Sequence, residues 1–260
     1  MNKTEFRTAL AGLPLEEIRF YQSIPSTNDE ALKLIEEGLR TSVLLFAEEQ
    51  TAGRGRLNRR WITLPESALA FSLILFPDES EIRFLSQFSF LGALAVSIAL
   101  QKVCGLSPQV KWPNDVLINR KKCCGILVES SSLGSLVQGV VIGIGLNIGK
   151  GSLPPAGEML FPPACVEEEL GRPVDRFAVL RQILIEIFHW RSRLPSPEFL
   201  QEYSRRLAFL GESVEIRQKG SPPVTGIVRG VDENGRLTLN LPDGRVQAIS
   251  TGDLHLRPAI

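Results

Sequence analysis

The spacing of hydrophobic and polar positions changes several times along this chain, and each change predicts an element. In STNDEALKLIEEGL, residues 26–39, apolar residues recur at helical intervals behind the capping candidates Ser26 to Asn28, and Glu30 stands three residues after Thr27. Gly38 lies near the end of that pattern, so a helix is expected to start between Ser26 and Asn28. Residues 42–50 run apolar and then acidic, and ALAFSLILF at 68–76 is dense in large apolar residues. Both read as strands, with a glycine- and arginine-rich loop between them. Residues 81–103 are predicted helical, and FLSQFSFLGALAVSIALQKV (84–103) is apolar nearly all round. Ser86, Gln87, Ser89, Ser97 and Gln101 interrupt that run and Asp78, Glu79 and Glu81 precede it, which favours a buried helix over a membrane span.

Shorter apolar runs predict strands at 109–111, 116–119, 125–130 and 136–148, the last rich in Val, Ile and Gly. Residues 149–174 hold five prolines and four glycines and read as an irregular surface excursion. Helical spacing returns at 175–194 through Phe177, Leu180, Leu184, Ile187 and Phe188. Ser196 with Pro197 opens a further helix, and Gly211 lies beyond its end. From Glu212, short alternating runs separated by DENG and PDG predict a small β-barrel. The expected architecture is α+β: a mixed β-sheet domain at 1–210 with helices covering one face, followed by a barrel domain at 211–260.

Composition narrows the functional classes. The 260 residues are 43% hydrophobic, enough for one large core and a small second one. Lys and Arg number 29 and so do Asp and Glu, so overall charge draws the chain to neither nucleic acid nor an anionic membrane. Cys104, Cys123, Cys124 and Cys165 form no CxxC pair, and only His189 and His255 could add imidazole, which argues against a zinc site. The opening MNKTEFRTALAG lacks the apolar core and cleavage site of a secretory leader. With the reduced-looking cysteines, this predicts a cytoplasmic protein.

Four segments set polar groups where an apolar sheet would not want them. TAGRGRLNRRW (51–61) packs four arginines and two glycines with no acid. Gly53 and Gly55 allow close backbone approach, while Arg54, Arg56 and Arg59 offer planar donors to phosphate or carboxylate. Taken alone, the run fits a phosphate cradle, a nucleic-acid patch or a solvated loop. KWPND (111–115) sets a cation, an indole, an amide and a carboxylate side by side, either as a simple Lys111–Asp115 pair or as groups for Mg²⁺ and phosphates at Asn114 and Asp115. KKCCGILVE (121–129) places Lys122 at the mouth of a strand with Gly125 three residues on, and GIGLNIG (143–149) carries Asn147 at a glycine-rich strand end.

In this combination the chain resembles the biotin protein ligases, through STN at 26–28, AEEQTAGRGRLNRRW at 47–61, KWPNDV at 111–116, KKCCGILVE at 121–129, VIGIGLNI at 141–148 and the module from FLGESVEI to DLHLR. The resemblance implies a catalytic domain with a C-terminal SH3-like β-barrel, ATP and biotin as substrates with Mg²⁺, and adenylation of biotin before transfer to a lysine. It places Ser26, Thr27, Asn28, Gln50, Gly53 and Gly125 at biotin, with Arg54, Gly55 and Arg56 in a loop that orders over biotin and its adenylate. It places Arg56, Arg59, Trp61, Asn114, Asp115, Lys122 and Asn147 at ATP, with Lys122 also reaching the biotin carboxylate and Asp115 a candidate metal ligand. Lys122, Arg56 and Asp115 are the expected catalytic groups.

The implied partner is the biotin carboxyl carrier domain of acetyl-CoA carboxylase or of another biotin-dependent carboxylase, and sheet extension leaves room for a homodimer. Many bacterial relatives carry an N-terminal helix-turn-helix domain. Here the STN helix begins within the first 26 residues, so specific DNA binding is not expected, nor is a membrane partner. Cys165 and Val166 stand where relatives commonly carry small hydroxyl residues. The nearest alternative is a lipoate or octanoate ligase or transferase of the same catalytic fold, in which Cys123 or Cys124 would act as an acyl nucleophile. A nucleic-acid-binding regulator and a non-catalytic biotin sensor are the readings from other classes.

Overall fold

One mixed sheet and one small antiparallel sheet organise the computed structural model, which describes residues 3–56, 59–61, 63–153, 161–217, 222–250 and 255–258. The larger sheet runs in the order β1-β2-β3-β7-β6-β5-β4. Its strands are β1 (Glu17–Ile24), β2 (Val43–Gln50), β3 (Ala68–Leu75), β4 (Gln109–Lys111), β5 (Asp115–Ile118), β6 (Lys121–Leu133) and β7 (Leu136–Asn147). Only β1 and β2 pair in parallel, and the crossover this requires is made by α2 (Thr27–Glu36). Strand β1 and the short helix α1 (Lys3–Ala9) were not foreseen. EIRFYQSI interleaves polar residues with apolar ones because β1 is an edge strand, half-buried along most of its length.

The two faces of this sheet differ in side-chain size. On one face Leu44 and Phe46 of β2, Leu69, Phe71, Leu73 and Leu75 of β3, and Ile142, Ile144 and Leu146 of β7 join the main core. Two long helices, α4 (Gln87–Cys104) and α6 (Arg176–Arg191), supply the other side of that core. The pattern of α4, apolar all round, is satisfied by burial inside the fold. It starts at Gln87, not 81, because Glu79–Ile82 forms a separate short helix, α3, closed by a reciprocal capping box between Asp78 and Glu81.

On the opposite face α2 packs Ala31, Leu34 and Ile35 against Val43, Leu45, Ile74 and Val141. Helices therefore cover both faces, not one, but α2 covers only part of its side. Beyond it, the alternation of β3, β6 and β7 turns small residues outward: Ala70 and Ser72 from β3, Gly125 from β6, Gly143 and Gly145 from β7. Ser72 pairs with Gly143, Ala70 with Gly145, and Gly125 with Gly145, so these positions form one continuous floor.

The excursion after β7 contains a short helix, α5 (Val166–Leu170); residues 154–160 of it lie outside the described set. Helix α7 (Pro197–Arg205) begins as expected, with Ser196 Oγ accepting from Phe199 N at 3.2 Å. The terminal SH3-like module orders its strands β11-β10-β9-β8-β12: β8 (Ser213–Arg217), β9 (Val224–Val231), β10 (Leu237–Asn240), β11 (Val246–Ile249) and β12 (His255–Pro258). Its 232–235 turn grips the large domain, with Gly235 O accepting from the buried Trp112 Nε1 at 3.0 Å and Glu233 O from Gln87 Nε2 at 3.1 Å. Arg176, at the start of α6, forms a buried bidentate pair with Glu48 of β2 at 2.7 and 2.8 Å, fixing the strand that leads into the arginine loop.

Candidate active site

The floor of small residues is furnished from three sides. At one end the first turn of α2 enters over β3 and β7. Ser26 caps it, its Oγ accepting from Asp29 N at 3.3 Å, which leaves Thr27 and Asn28 buried on the floor. Thr27 donates from N and Oγ1 to Gln50 Oε1 at 2.8 and 3.1 Å. Ser72 Oγ lies 2.7 Å from Thr27 Oγ1 and 2.6 Å from Asn28 Oδ1, and Asn28 Nδ2 donates to Leu127 O and to Glu129 Oε2. A Cβ on residue 143 would collide with the Asn28 amide, so the glycine there is what lets this cluster sit on the sheet.

The arginine loop folds over the middle. Trp61 N donates to Gly53 O at 2.9 Å and Gly55 N to Arg59 O at 2.7 Å, drawing the two arms of the loop into a narrow hairpin; residues 57–58 lie outside the described set. The Trp61 indole lies on Gly145 and beside Gly125, where any Cβ at 145 would strike the ring. Its Nε1 is buried with no hydrogen-bond partner among the described residues. Arg54 reaches back to Asp29 and Glu129. Arg56 donates to Asn114 Oδ1 at 3.0 Å, while Asn114 Nδ2 is tied to Ile126 O at 2.8 Å. Arg59 has an exposed side chain.

At the far end Asp115 stands between two ammonium groups, Lys122 Nζ at 2.6 Å and Lys111 Nζ at 3.4 Å. Burial alone would push its carboxyl up, but the two lysines outweigh that and hold it below the usual carboxylate range. Burial holds the Lys111 ammonium below its ordinary value in spite of Asp115, and the charges of Lys122 and Arg59 add to this. Lys122 is fixed from its backbone, which bonds Pro162 O and Ala164 N at 2.8 Å each. Asn147 Nδ2 donates to Ala164 O at 3.1 Å, so both residues anchor the excursion to the floor.

Among the described residues no group of three or more His, Cys, Asp or Glu side chains is arranged to hold a metal ion. Both Asp115 oxygens face lysines. The donor set suits a Mg²⁺ that arrives already bound to phosphates, not one held by a protein cage. Cys123 and Cys124 lie in the core, and burial pushes both thiols well up, which makes them poor nucleophiles.

Ser72, Asp29, Glu129 and Lys111 were not singled out as site residues by sequence. Lys111 stood in the KWPND motif, but only as a possible pair for Asp115, and Ser72 is a lone hydroxyl inside the apolar run ALAFSLILF whose partners are distant in sequence.

Comparison with known proteins identifies the family and the fold. Residues 20–147 match the model of the Biotin/lipoate A/B protein ligase family, and residues 209–257 match the Biotin protein ligase C terminal domain. A biotin–[acetyl-CoA-carboxylase] ligase of Paracoccus denitrificans is 40% identical over 228 residues, 85% of this chain and 92% of that protein. The chain belongs to the biotin protein ligase family. A biotin–[acetyl-CoA-carboxylase] ligase of Mycobacterium tuberculosis is 31% identical, covering 89% of this chain and 86% of its own length. The structure of the biotin protein ligase from Aquifex aeolicus in complex with biotin and ATP superposes with a TM-score of 0.79 at 28% identity, over 94% of this chain and all of that one. These relatives are named as biotin ligases, which favours that branch over the lipoate enzymes sharing the catalytic fold.

Proposed function

We propose that this chain adenylates biotin with ATP and then transfers the biotinyl group to a lysine of a biotin carboxyl carrier domain. The observation that carries this reading is the polarity of the floor: at one end the neutral hydrogen-bonding groups of Thr27, Gln50 and Asn28, backed by the Glu129 and Asp29 carboxylates around Arg54, and at the other the cations Lys122, Arg56 and Arg59. A ligand with an uncharged bicyclic head and a carboxylate tail fits that layout in one direction only. Its tail meets Lys122 where a nucleotide α-phosphate can also be neutralised.

In the first step a carboxylate oxygen attacks the α-phosphorus, the bond to the β-phosphate breaks and pyrophosphate leaves. Two anions must approach, so the chief demand on the protein is charge neutralisation and alignment. Lys122 supplies a cation at the junction, and Arg56 and Arg59 supply donors along the phosphates. Mg²⁺ adds charge neutralisation at the phosphates when the nucleotide is bound. Asp115, held anionic between two lysines, is poorly suited to accept a proton and instead orients Lys122. Asn114 positions Arg56. Trp61 is placed to present its ring to the adenine base once it lifts from Gly145, which would also release its orphaned Nε1. In the second step the carrier lysine attacks the acyl carbon of the mixed anhydride, an amide forms and AMP leaves. Closure of the arginine loop shields the anhydride from water until then.

The catalytic work is assigned to residues 1–210 and the SH3-like module to 211–260. The carrier is assigned to acetyl-CoA carboxylase or a related carboxylase, in the cytoplasm; a homodimer is compatible with this reading, and specific DNA binding forms no part of it. The test is pyrophosphate release with ATP, Mg²⁺ and either biotin or lipoate, followed by addition of a carrier domain. Biotin-dependent release followed by carrier labelling is expected. Lipoate-dependent release, or no release with either acid, contradicts the reading.

A further inference from the structure

We propose that Glu129 is a positioning residue which, with Asp29, latches the arginine loop and couples its position to the Asn28 amide. This rests on the assignment of residues 26–28 and Gln50 to biotin. Glu129 lies on β6, where that strand has run past β5 and pairs with β7 alone, and its carboxylate serves two masters. Oε2 accepts from Asn28 Nδ2 at 2.8 Å and from Arg54 Nη2 at 3.0 Å, and Oε1 stands 3.1 Å from the same guanidinium nitrogen. Asp29, in the first turn of α2, accepts from the same Arg54 nitrogen.

Arg54 is part of the hairpin itself. It is bridged to Arg60 across the loop, beside the Gly53–Trp61 hydrogen bond. One guanidinium therefore joins three separate pieces of chain: the start of α2, the middle of β6 and the loop. Asn28 has one amide proton directed at Leu127 O and one at Glu129, while its Oδ1 faces Ser72, so its orientation depends on where Glu129 stands. Swinging the loop away takes Arg54 off Glu129 and frees that carboxylate, loosening the amide that meets the ligand. Two carboxylates around one guanidinium also leave this end of the floor with an excess negative charge. That repels an anionic tail and sends it toward Lys122, reinforcing the direction of binding.

A double-mutant cycle on Arg54→Ala and Glu129→Ala, read as KM for biotin, KM for ATP and the half-time for escape of preformed biotinyl-AMP, tests this. Each single change is expected to raise the biotin KM and speed adenylate escape about five- to tenfold, less than a buried charged hydrogen bond would give because Arg54 is partly exposed. ATP KM should stay within about twofold, and the double variant should be no worse than the worse single one. Glu129→Gln, which keeps an acceptor for Asn28 but loses the charge, should speed adenylate escape with less change in biotin KM. If Glu129→Ala does not fold, the more exposed Asp29→Asn must shift the same readouts in the same direction.

Effects that multiply in the double variant overturn the latch, as do equal rises in both KM values. Gln50→Ala, run in parallel, separates the two failures. If it leaves biotin KM unchanged, the biotin assignment itself falls; if it raises that KM while the Glu129 variants do not, only the latch falls.

Discussion

The two ends of the floor solve the same problem, a polar group on an apolar sheet, in opposite ways. At the Thr27 end the polar atoms are mostly buried and each meets a protein partner, with Ser72, Asn28, Thr27 and the half-buried Gln50 in a chain of bonds between 2.6 and 3.1 Å. At the Lys122 end Lys122 and Arg56 are partly exposed, and their counter-groups, Asp115 and Asn114, hold them in place without cancelling their charge. A buried, self-satisfied network recognises shape and is costly to disturb. A half-solvated cation cluster keeps its field available for an incoming phosphate. The difference separates recognition from charge neutralisation along one pair of strands.

The sharpest way to break the comparison is at the cationic end. Lys122→Ala is expected to slow biotin-dependent pyrophosphate release on the order of 10²- to 10³-fold, the cost of removing a charge-stabilising donor. Retention of full rate would remove Lys122 from the chemistry. The matching change at the other end is smaller and of a different kind. Ser72→Ala strands the buried Asn28 Oδ1 and should cost about 1–2 kcal/mol of stability, read by urea unfolding, together with a raised biotin KM.

The smallest effect concerns pH. Because the folded Asp115 lies below its unfolded value, it adds stability that is complete above that unfolded value, about 3.9, and is lost as pH falls through the folded one. Asp115→Asn should therefore differ from wild type in urea midpoint at neutral pH and converge with it in acid. A stability gap that widens in acid would contradict the two-lysine clamp.

Much of this arrangement could be read from residues, and the exceptions follow from physics. Helix α2 announced itself through Ser26, because a capping side chain is a local signal that needs no tertiary context. The loop, KWPND and the K-x-x-G strand were visible because arginines and lysines beside an apolar sheet conflict with core composition. Strand β1 was not visible, because Glu17 and Arg19 pair with each other on an edge and blur the alternation. The separation of α3 from α4 escaped notice because a capping box at Asp78 and Glu81 looks, in sequence, like the acidic first turn of one longer helix.

The floor itself could not be read in advance. Gly125 was expected at biotin and Gly143 and Gly145 lie in a motif that stood out, but only the register of β3, β6 and β7 sets them side by side with Ala70. Ser72 and Glu129 gain their roles only through partners 44 and 101 positions away.

Gly143 and Gly145 offer the most direct test of the division between the two ends, since they lie two residues apart on one face of one strand. At 143 a methyl group strikes the Asn28 amide, and at 145 it strikes the Trp61 ring. Overpacking of this kind costs about 1–3 kcal/mol, roughly five- to 150-fold in an affinity. Separate KM values for biotin and ATP in biotin-dependent pyrophosphate release should show Gly143→Ala raising only the first and Gly145→Ala chiefly the second. If both variants raise both constants together, the floor is a single undivided site and the separation of recognition from charge neutralisation is wrong.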